Sequence, residues 1–244
     1  MRAYGMTDRG CVRKENQDAF KISTIDGADV VTAVLCDGMG GAQAGSVASQ
    51  MACDAFMFHA ANSIDEKSTV KDMNAILTEA VRYANVKVYD KSFADFTCMG
   101  MGSTLVAIAL NSKRAMICNV GDSRAYLYNG STVEQITHDH SLVEEMVERG
   151  KITREEAESH PNKNIITRAI GVEATVKCDI FDIKLRDGDK VLLCSDGLTN
   201  LVTDEEIASV LMKNPELENA CLKLVTLALQ RGAPDNVTVV LVER

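Results

Sequence analysis

The sequence contains no tryptophan, only 3 prolines in 244 residues, and no uninterrupted apolar run longer than Leu105 to Leu110. A membrane helix needs about 20 apolar residues, so none is expected, and a Pro-rich or collagen-like architecture is excluded. The first ten residues lack the basic-then-apolar layout of a secretory leader, and the expectation is a soluble, cytoplasmic protein. Positive charge is also scarce. Against 35 Asp and Glu stand 26 Lys and Arg, a net charge of −9, with no basic cluster that could track a nucleic-acid backbone. Neither nucleic acid nor a membrane surface is an expected partner. The 8 cysteines are never closer than 16 residues, which removes CxxC metal and redox chemistry and leaves them as small, reduced core residues.

What is present is an ordinary globular composition, 46% hydrophobic and 25% charged, with no linker, repeat or composition break. One domain over residues 1–244 is expected. Strand-like runs rich in β-branched residues occur at Val30 to Cys36, Thr104 to Leu110, Ala115 to Val120, Arg124 to Tyr128, Val176 to Ile183, Lys190 to Cys194 and Val237 to Val242. Gly121-Asp122 and Asn129-Gly130 supply hairpin turns. Met73, Ile76, Leu77, Ala80, Val81, Ala84 and Val88 repeat at helical spacing, as do Leu217, Ala220, Cys221, Leu224, Val225 and Ala228. Asn214-Pro215 is expected to open the second of these helices, and Thr203 with Glu206 to cap a shorter one before it. A further helix over Ala42 to Ala61 carries Ala44, Gly45, Ala48, Ser49 and Ala52, small enough for close packing. Hairpin-spaced strands with helices in separate blocks predict an α+β fold, two antiparallel sheets covered by helices. The polar stretch from His138 onward holds two capping boxes, Ser141 with Glu144 and Thr153 with Glu156. It reads as a small helical flap, residues 138–172, lying over the surface beside the active site.

Five aspartates mark five element ends. Asp37 and Asp196 each close an apolar strand and precede a glycine; Asp18 follows Asn16-Gln17; Asp122 sits in Gly121-Asp122-Ser123; Asp235 stands just before the last strand. Carboxylates brought together at sheet edges cannot all stay ionised and buried without a cation, and an all-oxygen donor set selects hard ions such as Mg²⁺ or Mn²⁺. Paired ions of that kind suit phosphoryl transfer.

Seven motifs in order carry a resemblance that spans the whole chain: Arg13-Lys14-Glu15-Asn16-Gln17-Asp18, Asp37-Gly38-Met39-Gly40-Gly41, Met101-Gly102-Ser103-Thr104, Gly121-Asp122-Ser123-Arg124, Asn164 to Gly171, Ser195-Asp196-Gly197-Leu198 and Asp235-Asn236. They resemble the metal-dependent Ser/Thr protein phosphatases of the protein phosphatase 2C type, particularly the bacterial members. The resemblance implies a four-layer α-β-β-α sandwich and hydrolysis of phosphoserine and phosphothreonine on proteins by a water activated between two metals. It implies Asp37 bridging both ions, the Gly38 carbonyl on one, Asp196 and Asp235 on the other, and Asp18 in the inner or second sphere. A third, weaker ion would lie on Asp122 and Asp196, and Arg13 would hold the substrate phosphate. The implied partners are phosphorylated proteins, substrates of a cognate Ser/Thr kinase, with the enzyme itself a monomer. One position departs from many eukaryotic relatives: Met39 stands where they carry a histidine, so a general acid is missing there.

Two rival readings stay open on the sequence. Cys118-Asn119-Val120-Gly121-Asp122-Ser123-Arg124 fits the C-x-x-G-x-x-R loop of cysteine-dependent phosphatases, although Arg124 runs into a strand rather than the helix that would activate the thiol. A catalytically inactive scaffold of the same fold is the other, disfavoured because no expected metal ligand is lost. His138-Asp139-His140 is expected to be a surface turn, and His59 and His160 have no candidate partners.

Overall fold

Strands buried on both faces need apolar residues at every position, whereas those with one wet face alternate. Leu105–Leu110 and Ala115–Val120 are of the first kind and are buried throughout. They lie at the centre of a computed structural model that describes residues 1–24, 29–41 and 44–244. In chain order its elements are β1 (Arg2–Asp8), β2 (Asp18–Thr24), β3 (Val31–Met39), α1 (Ala44–Ala60), α2 (Val70–Ala94), β4 (Gly102–Ser103), β5 (Leu105–Leu110), β6 (Ala115–Val120), β7 (Arg124–Tyr128), β8 (Val133–Gln135), α3 (Leu142–Glu148), α4 (Arg154–Glu158), β9 (Asp179–Ile183), β10 (Lys190–Cys194), α5 (Asp196–Thr199), α6 (Asp204–Lys213), α7 (Leu217–Gln230) and β11 (Val237–Glu243).

One sheet runs β1-β11-β10-β7-β8 and the other β2-β3-β5-β6-β9, with β4 extending β3. All pairings are antiparallel. Successive side chains leave opposite faces of a strand, so β3 sends Ala33 and Leu35 between the sheets and Val34 and Cys36 toward α1 and α2. A third apolar layer joins Leu192 and Leu241 to Leu211 and Leu224 of α6 and α7. Three apolar layers separated by two sheets make the four-layer α-β-β-α sandwich that the resemblance implied.

Ala44, Gly45, Ala48, Ser49 and Ala52 are all buried, the small face of α1 lying on β2 and β3. Ala42, at the expected start of this helix, lies outside the described residues. Thr69 and Asp72 form a capping box at α2, Thr153 with Glu156 at α4, and Thr203 with Glu206 at α6. Three local expectations need correction. Ser141 caps α3 by accepting from the Glu144 N–H at 3.2 Å, but the box stays open because the Glu144 carboxylate pairs with Arg154 instead. α7 begins after Glu216, while Asn214 ends α6 and donates from Nδ2 to the Val210 carbonyl at 2.8 Å. The side-chain amide finds a carbonyl of the preceding turn before it can cap the next helix. β9 begins at Asp179, three residues after the expected Val176. Strand β1 carries no readable apolar alternation; it forms by pairing along its full length with β11.

Candidate active site

The β2-β3 register sets Asp18 directly opposite Asp37. β10 ends at Cys194 beside Ser195-Asp196, β11 starts just after Asp235-Asn236, and Asp122 lies in the β6-β7 turn. Five carboxylates from five element ends therefore meet at one rim of the sandwich. Two close approaches define that rim. A Cβ on Gly38 would stand 2.0 Å from the Gly45 carbonyl oxygen, and one on Gly197 would stand 1.9 Å from that of Asn236. No other residue fits at either place.

Asp37 is held by its backbone. Its N–H donates to Thr104 Oγ1 at 2.9 Å, and its carbonyl accepts from the Thr104 N–H at 2.8 Å and from Ser103 Oγ at 2.9 Å. The carboxylate is left free. Burial, reinforced by Asp18, Asp196, Asp122 and Asp235 in that order, pushes its pKa well above the carboxylate range. Asp18 is 8% exposed. Its Oδ2 accepts from Ser195 Oγ at 2.8 Å and Thr238 Oγ1 at 2.6 Å, while Oδ1 is buried with no hydrogen-bond partner. Burial raises Asp18 to about 6 against the pull of those two hydroxyls. Asp122 is raised to about 7 by burial and by Asp196 and Asp139, and Asp196 is raised by burial and Asp235. Acids that repel one another in a partly dry rim lack a cation.

The donor chemistry, all oxygen and all anionic, fits hard divalent ions, and the orphaned Asp18 Oδ1 points the same way. Among the described residues no three acid, imidazole or thiol side chains form a ready-made ligand set. That agrees with ions of the Mg²⁺ type, which take one or two carboxylates each and fill the remaining positions with other oxygens.

Arg13 reaches the same rim. Its Nη2 donates to Asp235 Oδ2 at 2.7 Å, and that bond first, with Asp37 and Asp196 nearby, raises an already high pKa. Asn236 pins the loop that carries it, donating from Nδ2 to the Arg9 and Glu15 carbonyls at 2.8 and 3.0 Å and accepting from the Gln17 N–H at 2.8 Å. A cavity of about 660 Å³ opens from Asp122 and Asp196 and runs between α3-α4 and α5-α6. Met39 lines a second cavity of about 480 Å³ with Ile166, Val172 and Val176 from the segment between α4 and β9.

The cysteine reading fails on this geometry. Cys118 is fully buried within β6, where burial pushes its thiol well up, and Arg124 donates to Asp139 at 2.7 Å and to Tyr126 Oη at 3.1 Å rather than facing a vacant anion site. His140 is also not the expected surface residue. It is 7% exposed, with ring nitrogens at hydrogen-bond distance from Gly121 and Asp179. His59 and His160 do find partners: His59 lies over the Tyr83 ring with centroids 6.0 Å apart, and His160 Nδ1 accepts from the Asn162 N–H at 3.1 Å. The supporting hydroxyls escaped the sequence reading. Ser103, Thr104 and Ser195 sit inside quoted motifs, and Thr238 was signalled only as a polar residue interrupting the apolar run of the last strand.

A family model for protein phosphatase 2C matches residues 12–222. The chain belongs to the protein phosphatase 2C family. It is 38% identical to the serine/threonine phosphatase stp of Listeria welshimeri, over 100% of this chain and 96% of that protein. The crystal structure of the Mycobacterium tuberculosis serine/threonine phosphatase PstP/Ppp superposes with a TM-score of 0.87 at 40% identity, covering 99% of this chain and 97% of the other. A structure of the PstP catalytic domain in complex with two manganese ions gives 0.82 at 37% identity, with coverage of 99% and 97%. With relatives of this likeness over its whole length, the chain is a protein phosphatase, an enzyme of the phosphoric monoester hydrolase class. Among the described residues no helix is long and apolar enough to cross a membrane.

Proposed function

We propose that this chain hydrolyses phosphoserine and phosphothreonine on proteins in a reaction that requires Mn²⁺ or Mg²⁺. The observation that carries this reading is the rim of mutually repelling aspartates headed by Asp37, whose buried carboxylate has every reason to bind cations and makes no ion pair among the described residues. Asp37 would bridge two ions, with the Gly38 carbonyl on one and Asp196 and Asp235 on the other. Asp18 would sit behind them, its Oδ2 fixed by Ser195 and Thr238 and its Oδ1 turned to the ions or their water. Asp122 with Asp196 would hold a third, weaker ion. Bound there, paired divalent ions supply an activated water and neutralise charge on the attacked phosphate.

The chain's own residues do the rest. Arg13, half-exposed and always charged, binds the phosphate once Asp235 is occupied elsewhere. Thr104 and Ser103 keep Asp37 from following its ligands outward. Met39 lines the neighbouring cavity and cannot donate a proton, so leaving-group protonation falls to another group. The substrate proteins, supplied by a Ser/Thr kinase, would be met by the flap and by the 660 Å³ cavity. We assign the enzyme to the cytoplasm, as a monomeric signalling phosphatase.

The test is p-nitrophenyl phosphate turnover with Mn²⁺, with a chelator and after thiol alkylation, in the parent and in Cys118→Ser. Turnover should vanish on chelation, return with Mn²⁺ and survive both thiol changes. Loss of turnover in Cys118→Ser with metal binding intact would overturn the reading in favour of a cysteine enzyme. Failure of Mn²⁺ to restore turnover would favour an inactive scaffold.

A further inference from the structure

The Gly121-Asp122 turn within the Cys118 to Arg124 loop and the His138-Asp139-His140 stretch, which the proposed chemistry leaves unused, are the two halves of one latch. The His140 N–H donates to the Gly121 carbonyl at 3.0 Å, and the Gly121 N–H donates back to His140 Nδ1 at 2.9 Å. Because Nδ1 accepts, the neutral ring carries its proton on Nε2, which lies 3.1 Å from Asp179 Oδ2. Arg168 Nη1 lies 2.9 Å from the same Nε2 and donates to the other oxygen of Asp179 at 3.0 Å, so that a carboxylate and a guanidinium together close the far side of the ring. Around this pair, Asn119 Nδ2 donates to the Gly121 and His138 carbonyls, each at 3.2 Å, and Arg124 holds Asp139.

The anchored residue is an unusual one. Gly121 has φ +106°, and a Cβ there would stand 2.8 Å from Thr104 Cβ. A turn in that conformation has no ladder bond to offer its own amide, so an acceptor must come from outside. Asp122 follows immediately, with its carboxylate on the cavity that runs under the flap. His140 does not line that cavity and its Nε2 is enclosed by Asp179 and Arg168, so it cannot serve as a proton donor to substrate.

We propose that His140 is a positioning residue: its Nδ1 fixes the Gly121-Asp122 turn from the base of the flap and thereby places the carboxylate assigned above to the accessory ion. The inference rests on that assignment of Asp122, and the experiment separates the two. Asparagine at 140 sets a side-chain carbonyl where Nδ1 stood, whereas glutamine reaches toward Asp179 and leaves Gly121 without its acceptor. Full-length His140→Asn, His140→Gln and Asp122→Asn would be compared by amide hydrogen exchange at Gly121, with Ile108 of β5 as control, and by the Mn²⁺ concentration giving half-maximal turnover of p-nitrophenyl phosphate.

In His140→Gln, the Gly121 amide should exchange about 10-fold faster with Ile108 unchanged, and the Mn²⁺ requirement should rise about 10-fold, the size of one lost buried hydrogen bond. His140→Asn should stay within about 3-fold of the parent on both measures. An unchanged Gly121 amide in His140→Gln, or equal impairment of the asparagine and glutamine variants, would overturn the proposal. So would a raised Mn²⁺ requirement in Asp122→Asn with none in His140→Gln. If Asp122→Asn leaves the Mn²⁺ requirement unchanged while Gly121 loosens in His140→Gln, the assignment of Asp122 falls and the anchoring role of His140 stands.

Discussion

Two acidic regions lie side by side in this protein and are built on opposite electrostatic rules. At the rim, Asp18, Asp37, Asp122 and Asp196 are buried or half-buried against one another, and all four are raised above the ordinary carboxylate range. At the base of the flap, Asp139 is held by Arg124, Glu144 by Arg154, and Asp179 by Arg168 and His140. Burial pushes Asp179 up as well, yet the hydrogen bonds from His140 and Arg168 outweigh it and hold the carboxyl below its usual range. Geometry alone would call both regions acid clusters. Where a fold supplies its own cations, the acids are architecture; where it withholds them, the acids are a site.

The largest effect should come from breaking the rule at its centre. Asp37→Asn is expected to lower turnover at saturating Mn²⁺ by at least about 10³-fold, on the order of 4 kcal/mol of transition-state stabilisation. The same variant should raise the melting temperature of the metal-free protein, because a repelled carboxylate is gone. A turnover loss accompanied by lower metal-free stability would place Asp37 among the architectural acids instead.

The second prediction concerns pH. An acid raised in the folded state keeps its proton longer than it does in the unfolded chain, so the stability it contributes is present below about pH 4 and is lost as pH climbs through the folded value. With Asp18 at about 6 and Asp122 at about 7, the metal-free protein should lose several kcal/mol of stability between pH 4 and pH 8. Saturating Mn²⁺ should cancel much of that slope. Denaturant titrations at the two pH values, with chelator and with Mn²⁺, measure it; a flat metal-free profile would contradict the electrostatics described here. The smallest effect belongs to the paired region. Arg154 is largely exposed, so Glu144→Gln should cost less than about 1 kcal/mol and leave turnover unchanged.

Much of this contrast was legible in the chain. An aspartate closing an apolar run and followed by glycine reveals a strand mouth, and the motif order supplied the convergence that spacing could not. The helices announced themselves through apolar periodicity and the capping boxes at Thr153 and Thr203, whereas the box at Thr69 went unread. Partnerships between distant residues were not legible. That His140 would be buried against Gly121 and Asp179, or that Thr238 would hold Asp18 across 220 positions of sequence, depends on which strands become neighbours. Strand β1 was missed for the same reason: its identity is conferred by β11 rather than by its own composition.

That pairing has a consequence for how the enzyme is made. β11 is the last strand in sequence but an interior one in space, flanked by β1 and β10, and Asp235 enters immediately before it. A chain cut short before residue 235 would retain α1 and α2 on an intact second sheet, yet its first sheet would be split, with β1 unpaired and Arg13 without the loop anchor that Asn236 provides. Contacts between the two ends of the sequence must close before the centre exists, which slows folding but makes the step all-or-none. Loss of β11 is therefore expected to remove the centre as a whole, taking Asp235, the Asn236 anchor and the middle of the first sheet together.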